Sequence, residues 1–113
     1  MIAPFVLWLG LATCTISGTP GPDVLIGTRG SDVICGRGGN DLIDSNGGND
    51  VIYGGAGADR IQAGPGRQVM FGGLGNDMFH AWDGTVDRID GGPGIDRAWT
   101  DRADRVVRVE RFG

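Results

Sequence analysis

The sequence predicts an all-β solenoid, in which short repeats stack on one another and share a narrow core. Residues 18–99 divide into nine consecutive nonapeptides, and Ala81 is the single residue outside this frame. The eighth place of each unit is apolar: Leu25, Ile34, Ile43, Ile52, Ile61, Met70, Phe79, Ile89 and Ala98. The sixth place is Asp with one exception: Asp23, Asp32, Asp41, Asp50, Asp59, Gln68, Asp77, Asp87 and Asp96. A unit of nine residues cannot bury a core alone, so each must stack on its neighbours.

Each unit divides into a six-residue turn and a three-residue strand. The turns are rich in glycine, which adopts left-handed backbone angles at little cost. Along the strand the side chains alternate, so the eighth residue points inward and the seventh and ninth point outward. One insertion interrupts the order, because Ala81 precedes a turn that has lost most of its glycines. We therefore expect the coil to bulge after Ala81.

Composition limits the class of protein. A chain of 113 residues forms one domain at most, and its 23 glycines follow no collagen period. The net charge of −4 comes from Asp and one Glu against ten Arg. The chain lacks a basic block with interleaved aromatic residues, which argues against nucleic-acid binding.

Three units, GGAGADRIQ, GGLGNDMFH and GGPGIDRAW, carry a recognisable pattern. They resemble the nonapeptide GGxGxDxUx of RTX (repeats-in-toxin) proteins, the hemolysin-type calcium-binding repeat, and the resemblance covers residues 18–99. It implies a parallel β-roll in which two nonapeptides form one 18-residue coil. It also implies that calcium ions lie between adjacent turns on the same side of the stack.

The period determines which turns lie on the same side, because such turns are two repeats apart. Side one carries Asp23, Asp41, Asp59, Asp77 and Asp96, and side two carries Asp32, Asp50, Gln68 and Asp87. By resemblance, each calcium ion binds an Asp from both turns and main-chain carbonyls. The candidate carbonyls belong to Gly36, Gly38, Gly39, Gly54, Gly55, Gly57, Gly72, Gly73, Gly75, Gly91, Gly92 and Gly94.

The two sides are not equivalent in sequence. Side one offers up to four metal sites, of which the 41/59 and 59/77 pairs match the repeat best. On side two only the 32/50 pair is intact, because Gln68 brings an oxygen without a charge. Carboxylate and carbonyl oxygens in number suit Ca²⁺, whereas Mg²⁺ demands a tighter octahedron and loses its water reluctantly.

A metal is expected on energetic grounds as well. One buried apolar side chain per unit contributes much less free energy than the ordering of nine residues costs. Carboxylates stacked along one side also repel one another. We therefore expect the chain to be expanded without calcium, so that binding free energy becomes folding free energy.

The N-terminal residues 1–12 are interpreted as a signal peptide of a secreted protein. Residues 2–12 are almost wholly apolar, and as a helix they would span about 16 Å of a bilayer core of about 30 Å. Cleavage is placed before Thr13, although no Lys or Arg precedes the apolar segment. A lipid anchor on Cys14 is the alternative, because LATC resembles a lipobox. After cleavage we expect no membrane span.

The two cysteines, Cys14 and Cys35, are expected to form a disulfide, since an even pair in an exported chain favours one. After residues 13–99, which form the repeat domain, residues 100–113 are expected to form a last strand that caps the stack. The arginines of this segment are expected either to protect a sheet edge or to bind an acidic partner: Arg102, Arg105, Arg108 and Arg111.

No constellation of catalytic residues is apparent, and the single histidine, His80, is placed on an outward strand position. The sequence therefore predicts a secreted calcium-binding module with a structural or interaction role. The alternative is the RTX portion of a larger exported enzyme, toxin or adhesin. A third hypothesis is an adhesin that uses Tyr53, Phe71 and Trp99, which lie at ninth places and are expected either to be exposed or to pack under the termini. The protein or surface partner is not identified.

Overall fold

The computed structural model describes residues 14–81, 87–100 and 105–112, and these residues form twelve short β-strands and no helix. The strands are β1 (Ile16–Ser17), β2 (Val24–Ile26), β3 (Val33–Cys35), β4 (Leu42–Asp44), β5 (Val51–Tyr53), β6 (Arg60–Gln62), β7 (Val69–Phe71), β8 (Met78–Ala81), β9 (Arg88–Asp90), β10 (Arg97–Thr100), β11 (Arg105–Val107) and β12 (Arg111–Phe112). The predicted signal peptide lies outside the described residues. No helix in the described part of the chain is long and apolar enough to cross a membrane.

The strands form two parallel sheets. The odd sheet contains β1, β3, β5, β7, β9 and β11 in that order, and the even sheet contains β2, β4, β6, β8, β10 and β12. Ile34 pairs with Ile52 in the odd sheet and Ile43 pairs with Ile61 in the even sheet, so one coil takes 18 residues. This confirms the predicted β-roll, in which two nonapeptides complete each coil.

The eighth-place side chains fill the space between the two sheets. Those in the middle of the stack are fully buried, with 0% exposure: Ile34, Ile43, Ile52, Ile61, Met70, Phe79 and Ala98. Leu25 and Ile16, at the N-terminal end, are partly buried against this core. Burial of each large apolar side chain contributes about 1.5–3 kcal/mol, so the stack is held most firmly at its centre.

Two local features depart from a simple repeat. Ala81 extends β8 by one residue, is buried, and pairs with Thr100 of β10, so the strand itself accommodates the insertion. The bulge expected after Ala81 falls on residues 82–86, outside the described residues. Where one last strand was expected, β11 adds to the odd sheet and β12 to the even sheet. They are separated at Arg108, whose φ of 50° turns the chain.

The predicted disulfide joins Cys14 and Cys35, whose Cα atoms lie 5.9 Å apart. Cys14 precedes β1 and Cys35 ends β3, so the bond links the first two strands of the odd sheet. Closing a loop of this length stabilises a fold by roughly 3 kcal/mol, mainly by restricting the unfolded chain. The disulfide thus secures an end of the stack where the core is only partly buried.

Aromatic side chains on the outer faces stack in pairs. The ring centroids of Tyr53 and Phe71 are 5.2 Å apart on the odd sheet, and those of His80 and Trp99 are 4.6 Å apart on the even sheet. Because a neighbouring ring covers one face of each, Tyr53, Phe71 and Trp99 are half-buried at their ninth places. His80 is exposed, as its outward position predicted.

Candidate metal centres

The sixth-place aspartates of side one form a continuous series, which we call the carboxylate ladder: Asp23, Asp41, Asp59, Asp77 and Asp96. The backbone N–H of each of the first four donates to the Oδ1 atom of the Asp in the next coil. The N···Oδ1 distances are 2.9 Å for 23/41, 2.9 Å for 41/59, 2.9 Å for 59/77 and 2.7 Å for 77/96. One oxygen of each carboxylate beyond Asp23 is therefore used to hold adjacent turns together.

The second oxygen of these carboxylates is buried without a hydrogen-bond partner among the described residues. This holds for Oδ2 of Asp41, Asp59, Asp77 and Asp96, whose side chains are at most 2% exposed. Native proteins rarely bury a polar atom without a partner, and a charged one costs even more. A row of such atoms indicates that a ligand belongs beside them.

Each unpartnered oxygen faces a space that only glycine leaves open. A Cβ atom on Gly54 would lie 2.7 Å from Oδ2 of Asp59 and 2.8 Å from the carbonyl oxygen of Gly72. We call this space, beside the first residue of a turn, the oxygen-lined gap. Equivalent gaps lie beside Gly36 and Gly72. Carboxylate and carbonyl oxygens from two coils are the donors that a hard cation such as Ca²⁺ takes.

Side chains alone do not complete a metal site. In the described part of the chain, no three His, Cys, Asp or Glu side chains converge on one point. Two carboxylates are available between each pair of adjacent turns, so the main-chain carbonyls must supply further ligands. Ca²⁺ accepts six to eight oxygens, including backbone carbonyls and water, which fits this donor set.

The electrostatics of the carboxylate ladder favour a bound cation. Burial raises the pKa of Asp59 to about 7 and that of Asp77 to about 8, and the repulsion of neighbouring carboxylates adds to the shift. The backbone N–H that each accepts lowers its pKa in part. Burial also raises the pKa of Asp41 and Asp96. The charged ladder is therefore unfavourable unless a positive charge lies beside it.

The first turn on each side has a different arrangement. On side one the backbone N–H of Thr19 donates to Oδ2 of Asp23 at 2.7 Å, and its hydroxyl donates to both carboxylate oxygens at 3.0 Å. On side two Thr28 holds Asp32 in the same way. These carboxylates are already partnered within their own turns. The repeat pattern did not predict these hydrogen bonds, although Thr at the second place of both turns was a visible signal.

Side two lacks the open gaps of side one in its middle turns. Its second and third turns begin with Ser45 and Ala63, which place a Cβ atom where side one has glycine. Gln68 also donates its side-chain Nε2 to the carbonyl oxygens of Gly48, at 2.8 Å, and Pro65, at 3.3 Å. Gly48 is equivalent to Gly57 of side one, a candidate carbonyl ligand. A neutral amide thus binds carbonyls that a cation would otherwise take.

Several further side chains, which the repeat pattern did not single out, form hydrogen bonds between turns. The fifth-place asparagines Asn40, Asn49 and Asn76 each accept a backbone N–H from the next turn on their side, at 2.8–2.9 Å. Glu110, outside the repeats, accepts the backbone N–H of Asp96 at 2.7 Å. Asn directly before the sixth-place Asp was a visible signal in the sequence, whereas nothing in the repeat pattern pointed to Glu110.

The comparisons agree with this structure. The family model of the RTX calcium-binding nonapeptide repeat matches the chain in four copies, at residues 15–43, 44–79, 53–86 and 63–98. No curated protein and no solved structure matches the chain. The matched residues include strands of both sheets and the glycine-rich turns between them. The chain therefore belongs to the family of RTX calcium-binding nonapeptide repeat proteins.

Proposed function

We propose that this protein is a secreted calcium-binding module that folds when Ca²⁺ binds between adjacent turns of side one, and that it has a structural or interaction role outside the cell. The observation that carries the proposal is the row of buried, unpartnered Oδ2 atoms beside glycine in the carboxylate ladder. Such a row is costly in a protein that binds no cation.

Three pairs of side-one turns are the principal sites. They are 41/59, 59/77 and 77/96, and each combines two ladder carboxylates with carbonyl oxygens of the glycine-rich turns. The 23/41 pair ranks below them because Thr19 already binds the Asp23 carboxylate. On side two, Asp32 and Asp50 form the best remaining pair, and Asp87 lies next to the uncharged Gln68.

Bound calcium supplies the positive charge that the buried carboxylates lack. The aspartates hold their carboxylates in position through the N–H···Oδ1 bonds of the ladder. The glycines keep space for the ion and turn their carbonyls toward the next coil. Because these groups come together only in the folded chain, the binding free energy contributes to folding. Extracellular calcium modules bind with dissociation constants of about 10⁻⁴–10⁻³ M, and we expect this range.

Two observations support an extracellular location. The disulfide between Cys14 and Cys35 is typical of oxidising compartments. The apolar residues 2–12 have the length of a signal-peptide core. N-terminal sequencing of the protein recovered from the culture medium tests this directly. A mature chain that begins at Thr13 is the expected result, and retention inside the cell would contradict it.

The calcium proposal is tested by far-UV circular dichroism during a calcium titration, with magnesium as the control ion. We expect a cooperative change from a coil-like to a β-like spectrum with calcium, and a much weaker response to magnesium. A spectrum that is β-like in chelator and unmoved by calcium would overturn the proposal.

A matched pair of glycine variants makes this test specific to the gap. Gly54→Ala would place Cβ within 2.8 Å of the two oxygens that line the gap, whereas Gly47→Ala would meet no atom closer than 3.9 Å. Neither glycine has a positive φ, so backbone strain does not separate the two variants. We expect Gly54→Ala to need much more calcium to fold, and Gly47→Ala to behave as the unmodified chain.

A further inference from the structure

Glu110 continues the carboxylate ladder beyond the last nonapeptide. It immediately precedes β12, as Asp96 immediately precedes β10, and Arg111 pairs with Arg97 in the even sheet. The backbone N–H of Asp96 donates to Oε1 of Glu110 at 2.7 Å, the distance that separates the N–H of Asp77 from Oδ1 of Asp96. Glu110 thus occupies the sixth place of a turn that has only three residues.

Arg108 supplies the carbonyl oxygen of this shortened turn. A Cβ atom on Gly91 would lie 2.6 Å from Oδ2 of Asp96 and would also overlap the carbonyl oxygen of Arg108. In the oxygen-lined gap beside Gly72, the corresponding atoms are Oδ2 of Asp77 and the carbonyl oxygen of Gly91. The oxygen-lined gap is therefore repeated once more, with Arg108 in the place of glycine.

The side chain of Arg108 holds this turn against the preceding coil. Its guanidinium donates to both carboxylate oxygens of Asp90, with distances of 2.7 Å from Nε and 2.5 Å from the terminal nitrogen. This pairing opposes the cost of the left-handed backbone of Arg108, which has a φ of 50°. The turn is thus positioned by contacts that involve no metal.

The Asp96 carboxylate has one oxygen without a hydrogen-bond partner in the described part of the chain. Asp96 is fully buried, and its Oδ2 atom accepts no hydrogen bond from the described residues, although Oδ1 accepts the N–H of Asp77. Oδ2 points into the gap beside Gly91. Glu110 adds a second, exposed carboxylate on the next level of the stack.

We propose that Asp96, Glu110 and the carbonyl oxygen of Arg108 bind an additional calcium ion, which fixes the C-terminal segment 105–112 to the last coil. The inference depends on the proposed function, because it assumes that the other side-one gaps bind calcium. The donors are two carboxylates and a carbonyl, the oxygen ligands that Ca²⁺ takes. Since the turn is short and Glu110 is exposed, this ion binds more weakly than those in the central gaps.

The test counts bound calcium ions by isothermal titration calorimetry and native mass spectrometry for the full chain and for Glu110→Gln. The Gln side chain keeps an oxygen for the N–H of Asp96 but loses the charge. Asp44→Asn, which removes a charge from the outer face of the even sheet, is the matched control. We expect one ion fewer in Glu110→Gln and no change in Asp44→Asn. An unchanged count in Glu110→Gln would overturn the inference, whereas a full chain that binds no calcium would overturn the proposed function itself.

A measurement on the unaltered chain provides a second test that does not depend on a variant. Hydrogen exchange is followed during the calcium titration for residues 105–112 and for the central strands β4 and β6. We expect protection of residues 105–112 to develop at higher calcium concentration than protection of the central strands. Protection that develops in both regions at the same concentration would overturn the inference.

Discussion

Side one and side two of the β-roll have the same coil length and the same sixth-place Asp apart from Gln68, yet they also differ in the space between adjacent turns. Each turn of side one begins with glycine, from Gly18 to Gly91, and leaves an oxygen-lined gap. The second and third turns of side two begin with Ser45 and Ala63. Their Cβ atoms occupy the place where the gap would be. The first residue of the turn, more than the Asp, therefore distinguishes the two sides.

The second difference is Gln68. Its amide nitrogen joins the carbonyl oxygens of Gly48 and Pro65, which belong to adjacent turns of side two. On side one we expect a cation to join the equivalent carbonyls. The proposed cation and the Gln68 amide would then play the same part, since each places a positive or hydrogen-bonding group between carbonyl oxygens of adjacent turns. On side two, the Gln68 side chain itself links the middle turns.

The largest difference between the sides is expected from Asp59→Asn compared with Asp87→Asn. Asp59 belongs to two of the proposed sites, so the loss of its charge should weaken both, whereas Asp87 lies beside the uncharged Gln68. We expect Asp59→Asn to raise the calcium concentration at half-folding at least about tenfold, or roughly 1.4 kcal/mol. Circular dichroism provides the midpoints. Equal shifts in the two variants would show that the assignment of the sides is wrong.

A double variant can give side two the open gap and the carboxylate that side one has. The double variant Ser45→Gly with Gln68→Asp opens the gap beside Asp50 and supplies the missing charge. We expect it to bind one more calcium ion than the unmodified chain, as counted by calorimetry. Gln68→Asp alone should not gain an ion, because the Cβ atom of Ser45 still fills the gap. A double variant with an unchanged ion count would mean that other features separate the sides.

The third prediction concerns the pH dependence of the calcium-free chain. The pKa of Asp59, about 7, and that of Asp77, about 8, lie above the value of about 3.9 in an unfolded chain. Between pH 4 and pH 8 the folded state therefore binds more protons than the unfolded state, and stability falls as the pH rises. We expect more β-structure at pH 4.5 than at pH 8 in metal-free buffer, by circular dichroism.

Calcium should remove this pH dependence at neutral pH, because it takes the place of the protons on side one. Asp59→Asn with Asp77→Asn should weaken the pH dependence of the calcium-free chain, whereas Asp44→Asn, on the outer face of the even sheet, should leave most of it. An equally strong pH dependence in all these variants would place its origin outside the carboxylate ladder.

Much of this architecture could be predicted from the sequence because the repeat encodes it at fixed positions. The eighth-place residues, such as Ile43 and Ile61, form the core, and the sixth-place residues fall on the predicted sides. The significance of Ser45 and of the Gln68 amide could not be predicted. A repeat pattern specifies the residue type at a place, but it does not specify which atoms of the next coil that side chain meets.

Glu110 was missed for a related reason. The turn at residues 108–110 is three residues shorter than the others, so the repeat frame does not reach Glu110. Only the pairing of β12 with β10 aligns it with Asp96. The outer aromatic pairs, such as Tyr53 with Phe71, also depend on neighbours that are 18 residues apart in sequence. The repeat pattern thus did not predict these contacts between coils, because they depend on how the strands pair.

The smallest expected effect comes from the first turns, where the two sides are alike. Thr19→Val and Thr28→Val each remove a hydroxyl that donates to the Asp of the same turn, at 2.9–3.0 Å. A net hydrogen bond contributes about 1 kcal/mol, so we expect similar, modest losses of stability in saturating calcium, measured by urea denaturation. Valine keeps the shape of the side chain, which limits other effects. A clearly larger loss for either variant would mean that the sides already differ in the first coil, before Ser45 and Gln68.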